Sequence, residues 1–479
     1  MTSEVFSQNC RLTPNSQPKT IVGFFPAYKY NLETYNFQII SSITHLYYIA
    51  FGPTDLTNGT GPYQVFQNQY NKFQELRSYT DKNSNLNYKL IISVLLPTDD
   101  NLTKIPPFAN VSVGQYDLTS PFTQQFINEL VAIVSDYSFD GIDIDYPNKF
   151  PCFQATQFNA TYLDYVFTQF LVDISKKLKP INKILTVTAG QYPISGLNSS
   201  ITSFVNIQAF YLNINSKCTS AGIDNIQKIF NVWNTSIGIS NLVLGINFGG
   251  IVELINSNNI TSDTINNNLT IINETNIQYP FSDELISDPC RVSEYASWSW
   301  KNLSKTLSPP CYEKASFPWT RGFDYIAQQP YIYLQQQNSS TRFYYVSYED
   351  FQSLQYKLEF VQQVNASGIA IFDITRDTDN AILMNFITHL TNLTVKSLFL
   401  SYGPMIIGII CAFIFVSVSV AGFISYRRYR GRKAKMPNSL INTNNQACSD
   451  TNCQVYSDIS RQILSDTDNH VYSNTNKRD

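Results

Sequence analysis

The run Phe139-Asp140-Gly141-Ile142-Asp143-Ile144-Asp145-Tyr146-Pro147 constrains this chain more than any other stretch. Its alternation has the period of a β-strand, so Asp143, Asp145 and position 147 share one face while Ile142 and Ile144 share the other. A row of carboxylates is costly to bury unless each member is hydrogen-bonded or paired, so such a strand belongs beside a polar cavity rather than in an oily core. Short apolar runs alternate with longer amphipathic stretches along the chain, the pattern of repeated β/α units around a parallel barrel. The expected strands are 20–25, 43–51, 88–95, 139–145, 183–189, 204–212, 242–248 and 368–374. Apolar residues at helical spacing predict helices over 65–79, 121–137, 162–178, 223–233 and 348–364.

Asp140, Asp143 and Asp145 resemble, one for one, the DxxDxDxE signature of glycoside hydrolase family 18, the chitinases and chitinase-like lectins. The resemblance continues through Ile21-Val22-Gly23-Phe24-Phe25-Pro26, Thr44 to Phe51, Leu242 to Phe248, and Ser347-Tyr348-Glu349-Asp350 with Ser353, Leu354 and Lys357. It implies an α/β fold, a (β/α)8 TIM barrel over 20–395, with an insertion at 250–342 between strand 7 and strand 8. In that family the last position of the signature is the glutamate that protonates the glycosidic oxygen, and the substrate's N-acetyl group is the nucleophile. Here that position is Pro147, which has no titratable group, and Asn148 to Cys152 offer no carboxylate in its place. Loss of a general acid alone forfeits about 10²- to 10⁴-fold in rate.

Other family positions depart as well. The SxGG turn of the third strand is Ser93-Val94-Leu95-Leu96, the tyrosine expected near the end of the seventh strand is Gly249, and the sixth-strand Met-x-Tyr-Asp row is approximated only by Gln208-Ala209-Phe210-Tyr211. The tryptophan that floors the family's sugar site corresponds to Phe372. The resemblance therefore implies no catalytic residue, with Asp140, Asp143 and Asp145 as motif remnants, and Asp143, Asp145, Tyr211 and Phe372 as candidates for ligand binding. Asp140, Asp143 and Asp145 are expected to form a structural network in the barrel mouth, hydrogen-bonded to Ser93 and Tyr211, or to serve in sugar recognition. Tyr28, Phe51, Trp298, Trp300, Trp319 and Phe372 are candidate stacking platforms at the barrel rim. The scattered His45, His389 and His470 give no metal site, the alternating isoleucines exclude a calcium loop, and no cofactor is expected.

Residues 405–424 carry no charge, and at 1.5 Å per residue they reach roughly 30 Å, the thickness of a bilayer core. Segment 398–426 is thus expected to be a single transmembrane helix, a buried core helix being the alternative. Arg427, Arg428, Arg430, Arg432, Lys433 and Lys435 follow it, which by the positive-inside rule puts the tail 427–479 in the cytosol, where it is expected to be disordered. Acceptors of the form Asn-x-Ser/Thr lie at Asn58, Asn101, Asn110, Asn159, Asn198, Asn234, Asn259, Asn268, Asn273, Asn302, Asn338, Asn365 and Asn392, all before the apolar run, as a type I, glycosylated topology requires. Cys10, Cys152, Cys218, Cys290 and Cys311 precede it too, with Cys290 and Cys311 one candidate bridge; spacing alone does not settle pairing. Met1 to Lys19 has no apolar signal-like core, so an upstream segment or an N-out anchor is expected.

Net charge is only −3, which gives no electrostatic case for nucleic acid as a partner. Three functional readings stand: a catalytically silent barrel that binds an N-acetylated, chitin-type glycan or serves as an interaction scaffold; an active chitinase-like or chitobiase-like hydrolase with an unexpected acid; and an adhesion or signalling receptor with no sugar ligand.

Overall fold

The computed structural model describes residues 19–29, 43–52, 54–57, 59–82, 87–97, 105–108, 120–146, 160–210, 221–257, 260, 270–272, 283–286, 295–309, 311–337 and 339–389. The chain divides into two units, Met1–Val395 and Lys396–Asp479, and the second lies outside the described residues together with the apolar run 398–426. Among the described residues no helix is long and apolar enough to cross a membrane.

Eight parallel strands close into a barrel. They are β1 (Thr20–Phe25), β2 (His45–Ile49), β3 (Lys89–Leu95), β4 (Gly141–Tyr146), β5 (Ile184–Ala189), β6 (Val205–Ile207), β7 (Leu242–Asn247) and, after an inserted sheet, β15 (Gly368–Phe372). Their order around the barrel is β1, β15, β7, β6, β5, β4, β3, β2, so β15 seals the ring against both β7 and β1. The helices α1 (Pro62–Asn68), α2 (Tyr70–Lys82), α3 (Pro121–Asp136), α4 (Ala160–Leu178) and α5 (Ile223–Ile237) lie between strands. The single helix expected over 65–79 is two, α1 and α2, parted at Gln69, whose φ of −106° and ψ of 7° leave the helical region.

Strand alternation divides the core in two. Outward residues such as Ile92, Ile142, Ile144 and Val187 pack against the helices in the main apolar cluster. Inward residues Val22, Phe24, Tyr47, Ile91, Phe204, Val243 and Ala370 fill the barrel as a second, smaller cluster. The barrel is thus a packed core rather than a pore, and ligands of such a fold meet it at the C-terminal ends of the strands, its mouth.

The insertion is an antiparallel sheet. Its strands are β8 (Gly249–Asn256), β9 (Thr270–Ile271), β10 (Glu284–Ile286), β11 (Tyr295–Ser299), β12 (Thr320–Asp324), β13 (Gln329–Gln335) and β14 (Arg342–Tyr348), in the order β10, β11, β8, β14, β13, β12, with β9 on β8. A short helix α6 (Trp300–Leu303) follows β11, and α7 (Phe351–Gln363) and α8 (Ile382–His389) flank β15. Within the insertion, Thr270–Ile271 pairs with Asn256 and Ile255 as β9.

Return to the barrel is fixed by α7. Asp350 caps it, accepting from the N–H groups of Gln352 and Ser353 while the Ser353 hydroxyl accepts from the Asp350 N–H, a capping box that satisfies otherwise orphaned donors. Beside the cap, buried Lys357 is ion-paired with buried Glu349 and donates to Gln329 Oε1 at 3.1 Å, and Arg321 donates to Asp350 at 2.7 Å. These contacts account for the Glu349-Asp350, Ser353 and Lys357 pattern: it joins the inserted sheet to the barrel.

Candidate functional site

The register of β3, β4 and β5 sets the acidic row. Ser93 lies opposite Asp143 and Leu95 opposite Asp145 on one side, with Thr186 and Thr188 opposite the same two aspartates on the other. All six side chains therefore face the barrel interior. Asp143 is fully buried and accepts from Ser93 Oγ at 2.9 Å, from Thr186 Oγ1 at 2.9 Å and from Thr188 Oγ1 at 3.0 Å. The network extends outward, since Tyr47 donates to Thr186 at 2.7 Å and Asn206 Nδ2 to Thr188 at 3.1 Å.

Burial pushes the Asp143 carboxyl up to about 7, against the three hydroxyl donors that favour the ionised form. Loss of solvent is the dominant effect, because Asp143 sits one layer below the mouth. The same burial, with Asp143 beside it, raises the Tyr47 hydroxyl well above its usual range.

Asp145 is one step nearer the mouth and 5% exposed, and Gln208 Nε2 donates to its Oδ1 at 3.1 Å. Sequence reasoning had not paired Gln208 with Asp145. The signal was strand parity: Phe204, Asn206 and Gln208 alternate along β6 and its two flanking residues as Thr186 and Thr188 do on β5. Asp140 does not join the row. It precedes β4 and accepts from the Leu90 N–H at 2.8 Å near the opposite, N-terminal end of the barrel, a structural role. Pro147 and Tyr211 lie outside the described residues.

Phe372 is at the mouth end of β15, half-buried, but Phe24 stacks on it with centroids 4.0 Å apart and Phe210 lies 4.9 Å away. One ring face is thus already occupied. Of the other proposed rim aromatics, Tyr28 is half-buried, while Phe51, Trp298, Trp300 and Trp319 are corrected to core residues, 0%, 5%, 0% and 8% exposed. Trp298 packs on Trp319 at 5.5 Å and Trp300 on Tyr312 at 5.2 Å, because the inserted sheet needs large side chains to bury its junction with the barrel.

Leu95 faces the row, whereas Leu96 points to the outer core and is fully buried, so only Leu95 narrows the mouth. At Gly249 a Cβ would come 2.4 Å from the Trp298 carbonyl oxygen and 2.8 Å from Arg376 Nη2, which leaves no room for a tyrosine. Arg376 itself donates to Ser297 Oγ at 2.5 Å, tying the end of β15 to the inserted sheet. Among the described residues no group of His, Cys, Asp and Glu is placed to hold a metal ion.

Comparison with known proteins agrees with this architecture. Residues 20–377 match the family model for glycosyl hydrolases family 18. A 68-residue stretch is 35% identical to chitinase ChiA of Flavobacterium johnsoniae, 14% of this chain and 4% of that protein. Among solved structures, a chitinase from Rhizomucor miehei is similar with a TM-score of 0.55 at 18% identity over 78% of this chain and 99% of that one. A plant class V chitinase mutant from Cycas revoluta, solved with (GlcNAc)3, is similar with a TM-score of 0.53 at 18% identity over 78% and 99%. Chitinase ChiW from Paenibacillus gives 0.54 at 18% identity over 79% of this chain, which spans only 43% of that multi-modular protein. With its matched span taking in the whole closed barrel and the inserted sheet, the chain belongs to glycosyl hydrolase family 18.

Proposed function

We propose that this is a single-pass membrane protein whose barrel faces the lumen or cell exterior, is catalytically silent, and binds an N-acetylated glycan of the chitin type at its mouth. The observation that carries the reading is the divided fate of the acidic row. Asp143 and Asp145 keep a hydrogen-bonded setting at the strand ends, while the position where the family places its proton donor is Pro147. Relatives of the same fold give the ligand class, since the Cycas revoluta chitinase was solved with (GlcNAc)3. The charge-free run 405–424 and the basic residues that follow support the topology.

The test is one preparation of ectodomain in two assays. Incubated with chitooligosaccharides it should release no product, and on a glycan array it should retain N-acetylglucosamine polymers. Asp145→Ala should weaken that retention about tenfold, since losing a hydrogen bond to a charged group costs about 1.5–3 kcal/mol. An empty array with a thermally destabilised Asp145→Ala variant would retire glycan binding and leave the scaffold role.

Active hydrolysis by another acid is the second reading. It draws on Asp143, which burial leaves able to carry a proton near neutral pH. Full burial and engagement by Ser93, Thr186 and Thr188 count against its reaching a glycosidic oxygen. Product release in the first assay, abolished by Asp143→Asn, would establish it.

A further inference from the structure

Four Asn-x-Ser/Thr acceptors fall within the described residues, and the fold sorts them by face. Asn234 is exposed in the last turn of α5, and Gly238 and the turn Ile239–Asn241 then lead directly into the start of β7. Asn365 is exposed just past α7, two residues before Ser367, whose Oγ lies 3.1 Å from Thr20 Oγ1 at the start of β1. Asn198 is exposed two residues before Ser200, whose carbonyl accepts from Lys179 Nζ at 2.7 Å just past the end of α4. Helices of this barrel run opposite to its strands, so the ends of α4, α5 and α7 all lie at the basal face, away from the mouth.

The fourth acceptor is at the other end. Asn302 lies on α6, which begins where the Trp300 N–H donates to the Phe248 carbonyl just past β7, at 3.1 Å. Its neighbour Lys301 is 2.5 Å from Asp379, beyond the end of β15. The Asn302 amide is engaged: Nδ2 donates to the Asp283 carboxylate, and Oδ1 accepts from Lys305 Nζ at 2.8 Å. At two of the basal sites the carbonyl end is engaged, with Asn234 Oδ1 accepting from the Ile239 N–H at 2.8 Å and Asn198 Oδ1 from the Ser200 N–H at 2.9 Å. Asn198 Nδ2 also donates to the Gly196 carbonyl at 3.2 Å, a bond that the one N–H left after glycosylation can keep.

We propose that the fold sorts these four acceptors, with N-linked glycans carried at Asn198, Asn234 and Asn365 on the basal face of the barrel and Asn302 left bare. The inference rests on the lumenal topology proposed above. In the transfer the asparagine Nδ2 forms a bond to C1 of an oligosaccharide carried on a polyprenyl pyrophosphate. The C1–O bond breaks, the lipid pyrophosphate leaves, and the amide gives up one proton. A glycan added during synthesis has to be accommodated after folding: the three exposed asparagines project theirs into solvent, whereas one on Asn302 would disturb the contact with Asp283.

The test uses the full chain isolated from the cells that make it. A peptide-N-glycosidase in heavy-oxygen water converts each glycan-bearing asparagine to labelled aspartate, and mass spectrometry of the peptides reads occupancy against an enzyme-free control. Label is expected on Asn198, Asn234 and Asn365, with Asn302 well below all three. Label confined to acceptors such as Asn101, with the basal three bare, would overturn the proposal and leave the topology standing, and so would an Asn302 occupied above them. No label on any acceptor would overturn the topology along with it.

Discussion

Thr188 straddles the Asp143 carboxylate, its Oγ1 lying 3.1 Å from Oδ1 and 3.0 Å from Oδ2. One hydroxyl proton is thus shared between two oxygens that also receive Ser93 and Thr186, all of them in a site without solvent. The arrangement can hold Asp143 protonated or ionised, and burial tips it toward the protonated form.

That balance predicts a pH dependence. Asp143 rises from 3.8 to about 7 on folding, so between these values the folded chain holds a proton that the unfolded chain releases. The resulting stabilisation is complete below the unfolded value and is lost as pH rises through about 7. At about 1.4 kcal/mol per tenfold change in proton affinity the effect reaches several kcal/mol. Urea unfolding of the barrel at pH 5 and pH 8 should show the parent losing stability relative to Asp143→Asn; identical pH profiles for the two would refute the assignment.

His45 should act in the opposite direction. Burial, then Lys89, lowers it from 6.5 to about 4, with Asp140 opposing; its Nδ1 lies 2.8 Å from Thr44 Oγ1 and its ring meets the edge of Phe204. A histidine kept neutral on folding contributes stability that is present above the unfolded value and lost as pH falls toward 4. His45→Gln should therefore flatten the acid limb of the unfolding curve that the parent shows below pH 6. An acid limb unchanged in the variant would assign it to other groups.

Much of the barrel was legible because its strands are short apolar runs and the acidic strand keeps strict alternation, as in Ile142, Asp143, Ile144 and Asp145. The neighbours of Asp143 were less so, since Thr186, Thr188 and Asn206 become partners only through the register of β4, β5 and β6, which no local pattern encodes. Trp298, Trp300 and Trp319 were misplaced for a related reason: residues of an insertion look peripheral in sequence, yet the junction of two sheets creates its own core. Gly249 illustrates a third limit, because a missing side chain gives no hint that a carbonyl and a guanidinium from distant segments fill its place.

The Lys357 and Glu349 pair offers a stability test independent of the site. Both side chains are 2% exposed, and burial lowers the Lys357 pKa while Glu349 counters it. Removing one partner of a buried pair strands the other charge and costs about 3–5 kcal/mol, whereas replacing both with apolar groups of similar volume is far milder. Lys357→Met should lower the thermal midpoint steeply, and Lys357→Met with Glu349→Leu should recover a large part of the loss. A double variant no more stable than the single one would mean that Gln329 and Ser353, which also bond this pair, hold more of the junction than the ion pair does.

Placing a glutamate at position 147 should not by itself confer family-like turnover. Pro147→Glu returns a titratable group to the last position of the sequence signature, but proton transfer is only one component of the family's chemistry. Positioning a substrate against its reactive groups is worth up to about 7–11 kcal/mol, and the features that would do so are altered here. Leu95 stands opposite Asp145 in place of a glycine, Phe372 has one ring face against Phe24, and Gly249 lies under the Trp298 carbonyl where a tyrosine side chain has no room. Chitooligosaccharides incubated with the Pro147→Glu barrel should therefore yield product no faster than with the parent. Turnover rising by the 10²- to 10⁴-fold that a general acid supplies would show that the mouth positions substrate as it stands, and that the proline alone silences the barrel.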